Sequence, residues 1–159
     1  MEADLARSVL VDSNLLFILV VGHTSRDHVG RARRTEQYSP EDFDLLQSAL
    51  TDYDKVLVTP HVLAETSNLL GYLSEPLLSK TRSTLGQMLA RWNEHYAPCI
   101  DLVDAPIYLR LGVTDSALFT AASSTAALLT DDFPLYLAAS TAGRDAINFT
   151  HLRQARGTL

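Results

Sequence analysis

Ser8-Val9-Leu10-Val11-Asp12-Ser13-Asn14-Leu15-Leu16-Phe17-Ile18-Leu19 is the stretch that decides how the rest of the chain is read. An apolar run, a polar break and a second apolar run mark a buried strand, a turn capped by Ser13 or Asn14, and a helix that stops at Gly22. Val56-Leu57-Val58 repeats the strand pattern, and Thr59-Pro60 then starts a helix expected to reach about residue 73. Residues 100–103, 126–130 and 146–149 read as three further strands, with a helix over 133–142 between the last two. Strands that alternate with helices pair in parallel through right-handed crossovers. The expected fold class is therefore α/β, with one domain over residues 1–159 built on a central parallel sheet of about five strands.

The remaining segments fit between these. Ser39-Pro40-Glu41-Asp42 is a capped helix start, and Phe43, Leu46, Leu50 and Tyr53 continue it as an apolar stripe. A longer helix is expected over 76–96, with Leu78, Thr81, Leu85, Met88, Trp92 and Tyr96 on one side. A short helix over 105–111 ends at Gly112, and Thr114 caps another over 115–124. Between the first two helices, residues 22–38 read as a polar loop carrying Arg26, Arg31, Arg33 and Arg34 against Asp27 and Glu36.

Composition narrows the function classes. The 159 residues are 47% apolar and 20% charged, the balance of a folded globular chain. A formal net charge of -6 argues against gripping nucleic acid by bulk positive charge. A single cysteine, Cys99, excludes an internal disulfide framework and reads as a small buried hydrophobe in a reducing compartment. The longest apolar run, 15–21, is far short of the roughly 20 residues that span a bilayer. Met1-Glu2-Ala3-Asp4 offers no basic leader region, so no membrane association and a cytoplasmic location are expected.

Where the acids fall is more informative than their number. In open parallel sheets ligands bind beyond the carboxyl ends of the strands. Asp12 follows the first strand directly, Asp131 and Asp132 follow the strand that ends at Thr130, and Asp115 opens the helix leading into that strand. Glu65 sits inside a helix, between Val62 and Leu69 on its apolar side, and must be paired, bind a metal or line the rim of a cleft. Each acid also has a plain structural role open to it: a first-turn acid for Asp115, a turn or cap residue for Asp131 or Asp132, a solvated edge for Glu65. Carboxylates without Cys or His at ligand spacing suit hard cations such as Mg²⁺ or Mn²⁺. The five histidines share no spacing of a zinc site, and Cys99 with His95 makes no convincing nucleophilic pair.

Four segments, in order, resemble the PIN-domain nuclease family, especially its compact VapC-like bacterial toxins. They are Val9-Leu10-Val11-Asp12-Ser13-Asn14, Thr59-Pro60-His61-Val62-Leu63-Ala64-Glu65, Thr114-Asp115-Ser116-Ala117-Leu118, and Leu128-Leu129-Thr130-Asp131-Asp132-Phe133. The resemblance implies a three-layer α/β/α fold and a Mg²⁺- or Mn²⁺-dependent endoribonuclease acting on single-stranded RNA. By position, it makes Asp12, Glu65 and Asp115 the principal catalytic and metal-binding acids and Asp132 the fourth, with Asp131 its competitor. It gives Asn14 and Thr130 the orientation of water or ligands. The 22–38 segment and the 76–96 helix depart from a minimal member.

Arg31, Arg33 and Arg34 are candidates to guide an RNA backbone or an acidic partner segment, against the plain reading of a solvated loop. An antitoxin protein is the partner a toxin would require, and apolar faces on the 40s and 70s–90s helices suggest a homodimer or an antitoxin groove. Two other function classes remain. A phosphoryl-transfer domain of the haloacid-dehalogenase or receiver type also places Asp after its first strand, but Asn14 stands where a second acid would be and no lysine follows a late strand. A non-catalytic PIN-like RNA- or protein-binding module would lack the acid set. Setting aside the four proposed ligands leaves 15 acids against 13 basic residues, nearly balanced outside the site.

Overall fold

The computed structural model describes residues 6–123 and 125–157. The expected leader-free start, Met1 to Asp4, and the expected helix end at Ser124 lie outside them. The strands are β1 (Ser8–Val11), β2 (Lys55–Val58), β3 (Asn93–Glu94), β4 (Ala126–Thr130) and β5 (Ala146–Asn148). The helices are α1 (Ser13–Thr24), α2 (Pro40–Leu50), α3 (Pro60–Leu70), α4 (Leu77–Leu89), α5 (Cys99–Leu102), α6 (Tyr108–Ala121), α7 (Phe133–Thr141) and α8 (Phe149–Arg156). All strands pair in parallel in the order β3-β2-β1-β4-β5, which gives the expected three-layer α/β/α architecture.

The sheet reverses its winding direction between β1 and β4, so the crevice at their carboxyl ends is the switch point of the fold. Register sets its geometry: Leu10 pairs with Leu128 and Val11 with Leu129, which brings Asp12 level with Thr130 and Asp131. Burial fixes the centre. β4 is buried along its whole length, and α1 is buried nearly all round because α2, α3 and α4 cover it. That is why its sequence is apolar on every side rather than along one stripe. Gly22 of α1 is needed for this packing, since a Cβ there would stand 2.1 Å from the Phe43 ring of α2.

Several expectations are corrected. The edge strand is not 100–103 but Asn93–Glu94, which pairs with Leu57 and Val58. Two polar residues carry no apolar pattern, and short polar edges are how sheets avoid further pairing. Residues 100–103 instead lie largely in the turn of helix α5 behind Pro98, with Ile100 exposed and Leu102 buried. The 76–96 helix stops at Leu89 because the chain must turn to reach β2, where the His95 N–H donates to the Val58 carbonyl.

Helix α3 ends at Leu70, short of residue 73. Gly112, at φ 87° and ψ -174°, breaks α6 into two helical pieces, as expected, while the Thr114 hydroxyl, expected to cap the second piece, donates instead to Glu65. Helix α8 is capped by Asn148, whose side-chain oxygen accepts from the His151 N–H.

The 22–38 segment is not a solvated loop. Its first residues finish α1, a 3-10 turn follows at Arg26–His28, and Val29, Thr35 and Tyr38 are buried. Thr35 accepts from the Gly30 N–H and donates to the Ala32 carbonyl, which folds the segment on itself. Arg153 of α8 locks it in place: its guanidinium donates to Asp42 at 2.9 and 3.0 Å and to the Gln37 carbonyl at 2.9 Å. The apolar faces of α2 and α4 point inward through Phe43, Leu46 and Met88. Among the described residues the exposed large apolar side chains are Tyr72, Tyr96, Ile100, Val103, Leu109, Phe133 and Leu137, none of them in α2 or α4.

Candidate active site

Asp12 stands at the end of β1, buried, with every oxygen engaged. Its Oδ1 accepts from the Leu15 N–H at 2.9 Å, so Asp12 itself caps α1, a role expected of Ser13 or Asn14. Its Oδ2 accepts from the Thr130 hydroxyl and from the Asp131 N–H at 3.0 Å. Burial pushes the Asp12 carboxyl well above the usual carboxylate range and the Asp131 charge adds to this, while the three donors oppose it. Thr130 thus holds Asp12 directly, and it also accepts the Asp132 N–H at 3.0 Å.

The two adjacent acids have diverging environments. Asp131 turns toward Tyr38, whose hydroxyl donates to Oδ2, and its Oδ1 is buried with no hydrogen-bond partner. Burial and the Asp131 charge keep the Tyr38 phenol protonated far beyond its ordinary range. Asp132 caps α7, its Oδ1 accepting from the Leu135 N–H at 2.9 Å, and it is exposed on the other side.

Glu65 is likewise exposed, yet its carboxylate is aimed. Ser13 donates to Oε2 at 2.8 Å and Thr114 to Oε1 at 2.9 Å, which ties α3 to the starts of α1 and the second half of α6. Asp115, next to Thr114, faces both Asp132 and Glu65. Burial first, then these two charges, push its carboxyl up to about 6. Asp12, Glu65, Asp115, Asp131 and Asp132 therefore gather around the β1/β4 crevice in two linked sets, buried Asp12 and half-buried Asp131 with Tyr38 and Thr130, and an open trio with Ser13 and Thr114. Asn14 is exposed, and its side chain bonds none of them.

Among the described residues no three His, Cys, Asp or Glu side chains stand close enough to ligate one ion. The donors are all oxygen, the class that hard cations take, and burial together with neighbouring acid charges raises Asp12 and Asp115, a penalty that a cation would relieve. Sequence reasoning missed Ser13, Tyr38 and Thr114 as neighbours of these acids. Hydroxyls carry no patterning signal, although each stands within two residues of a motif acid or ends the arginine-rich segment. Cys99 is exposed rather than buried, and its partner is His61, 3.1 Å away, not His95. A recess of about 580 Å³ is apolar and opens between the start of α6 and α7 rather than over the carboxylates.

The charge on Asp115 has a measurable consequence. Its folded pKa of about 6 lies above the unfolded value near 3.9, so in the metal-free protein stability falls as pH rises through that window. Asp115→Asn removes the penalty. Because the group is partly exposed and screened, the gain at pH 7.5 is expected to be roughly 1 kcal/mol. Urea unfolding in EDTA should show that gain at pH 7.5 and almost none at pH 4; an equal gain at both would contradict it.

Fold and site together define a doubly wound α/β protein with acidic side chains grouped at the strand ends of its topological switch point. No protein-family model matches the chain, and no curated protein matches it. Among solved structures it is similar to the protein PAE2754 from Pyrobaculum aerophilum, at 17% identity and a TM-score of 0.58, over 99% of this chain and 100% of that one. A domain of a functionally unknown protein from Methanocaldococcus jannaschii DSM 2661 is similar at 17% identity and a TM-score of 0.47, over 90% and 91% of the two chains. At these identities the first likeness shows the fold.

Proposed function

We propose that the protein is a PIN-like, divalent-metal-dependent endoribonuclease that cuts single-stranded RNA at the β1/β4 crevice. The observation that carries the reading is the open trio: Glu65, Asp115 and Asp132 come from three separate helix starts or faces, and Asp115, raised to about 6 by burial and then by the Asp132 and Glu65 charges, lies between them. Like charges gathered this way at a strand-end crevice cost stability, and a cation offsets that cost.

Asp12, Glu65, Asp115 and Asp132 would hold Mg²⁺ or Mn²⁺, which when bound lowers the pKa of a coordinated water and screens the scissile phosphate. The chain's own residues set the stage for this. Thr130 and the Asp131 N–H fix the Asp12 carboxylate, and Ser13 with Thr114 fixes that of Glu65, so neither acid has to be ordered when the metal arrives. The pairing of Asp131 with Tyr38 and the outward position of Asp132 favour Asp132 as the fourth acid.

The test is incubation of an end-labelled single-stranded RNA with the protein in Mn²⁺, in Mg²⁺ and in EDTA. Cleavage is expected with metal and absent with EDTA. Equal cleavage in EDTA, or none with either metal, would overturn the reading.

A further inference from the structure

Arg33 and Arg34 both lie over one side chain, Tyr72, with guanidinium carbons 5.2 and 3.8 Å from the ring centroid. Tyr72 comes from a different part of the chain, just beyond α3, and is 43% exposed. The sequence singled out the arginines; the structure adds the aromatic ring and removes Arg26, which is paired with Asp44 at 2.7 Å and Glu41 at 3.7 Å. Among the described residues Arg31, Arg33 and Arg34 have no carboxylate within ion-pair distance. The stack borders a recess of about 360 Å³ that His28, Ser74 and Glu75 also line. The Glu75 carboxylate is turned to the Ser79 hydroxyl and N–H.

Arg34 holds this place in an unfavourable backbone conformation. Its φ is 70°, in the left-handed region that glycine enters freely and arginine does not. Folding alone would be served better by glycine there. A strained residue that keeps a long cationic side chain points to a role for that side chain.

The patch is also tied to the carboxylates from two directions. Tyr38, four residues after Arg34, bonds Asp131, so its backbone lies within about 14 Å of Arg34. Glu65 lies on α3 about two helical turns, roughly 10 Å, before Tyr72. A few nucleotides of an extended strand cover that span.

We propose that Arg33, Arg34 and Tyr72 form a binding subsite for single-stranded RNA, the arginines meeting backbone phosphates and the tyrosine–arginine stack meeting a base. This rests on the nuclease reading for its choice of polymer. Cations interleaved with an aromatic face are how proteins hold single strands without reading sequence.

The experiment measures binding of a fluorescein-labelled 12-nucleotide single-stranded RNA by anisotropy in EDTA, from 50 to 300 mM salt, alongside melting temperature. Arg33→Ala/Arg34→Gly should weaken binding about tenfold and make the salt slope shallower by about 1.4, the share of two phosphates on a single strand. Tyr72→Ala should weaken binding severalfold and Tyr72→Phe should restore it. Arg34→Gly alone should lower affinity while leaving the melting temperature unchanged or raised. A lower melting temperature with unchanged affinity would make the stack purely structural and overturn the proposal. So would binding of an acidic peptide but not RNA, or no RNA binding by the wild type. The two readings separate cleanly: cleavage in Mn²⁺ with unaltered binding by the arginine variant refutes the subsite alone. Patch-dependent binding without cleavage refutes the nuclease alone.

Discussion

Asp12→Asn is expected to reduce metal-dependent RNA cleavage about a thousandfold while the protein stays folded. The size follows from losing several kcal/mol of charge stabilisation at the reacting phosphate, with about 1.4 kcal/mol for each tenfold. Folding survives because asparagine keeps an oxygen for the Leu15 N–H, so α1 remains capped. What is lost is the negative charge and the Oδ2 acceptor that Thr130 and the Asp131 N–H now share. Initial rates on a labelled RNA in Mn²⁺, compared with circular dichroism of the same preparation, read the two effects apart. Activity above a tenth of wild type would remove Asp12 from the site. A variant that loses both activity and its helical signal would overturn the expectation that the fold survives.

The largest effect on stability is expected at Asp42. Its carboxylate is fully buried and accepts from Arg153 Nε at 2.9 Å and a terminal guanidinium nitrogen at 3.0 Å. It also accepts the Ser39 N–H at 2.9 Å, closing the capping box of α2. Asp42→Ala removes the buried carboxylate that two guanidinium nitrogens of Arg153 share, and breaking one partner of such a pair costs about 3–5 kcal/mol. For a chain of this size that lowers the melting temperature by about 10 °C. A loss under 1 kcal/mol in urea unfolding would show the pair to be energetically idle. The damage should reach the crevice as well, because Arg153 holds the Gln37 carbonyl and lies 5.1 Å over the Tyr38 ring that bonds Asp131.

This linkage shows why part of the site was legible in the sequence and part was not. Asp12, Asp115, Asp131 and Asp132 announce themselves by standing at the ends of apolar runs or helix starts, features set by residues a few positions away. Glu65 was marked by apolar neighbours at helical spacing, although it proves exposed and anchored by two hydroxyls. Tyr38 carried no such mark. It closes a segment rich in arginine, and only its contact with Asp131, 93 positions on, gives it a place beside the carboxylates. The edge strand failed for the opposite reason: Asn93 and Glu94 pair through their backbones, which side-chain patterning does not report.

The sequence by itself determined an α/β chain, the placement of four of its five strands, and the acids that follow them, because burial periodicity, helix starts and strand ends are written in short-range spacing. Only the tertiary structure decided which donors surround each acid, that Asp12 caps its own helix, and that Arg33 and Arg34 meet Tyr72. The donors that hold the carboxylates come from as far as 119 positions away. Pairings over such distances are fixed by sheet register and by what the core leaves room for, and neither is a property of any local stretch of the chain.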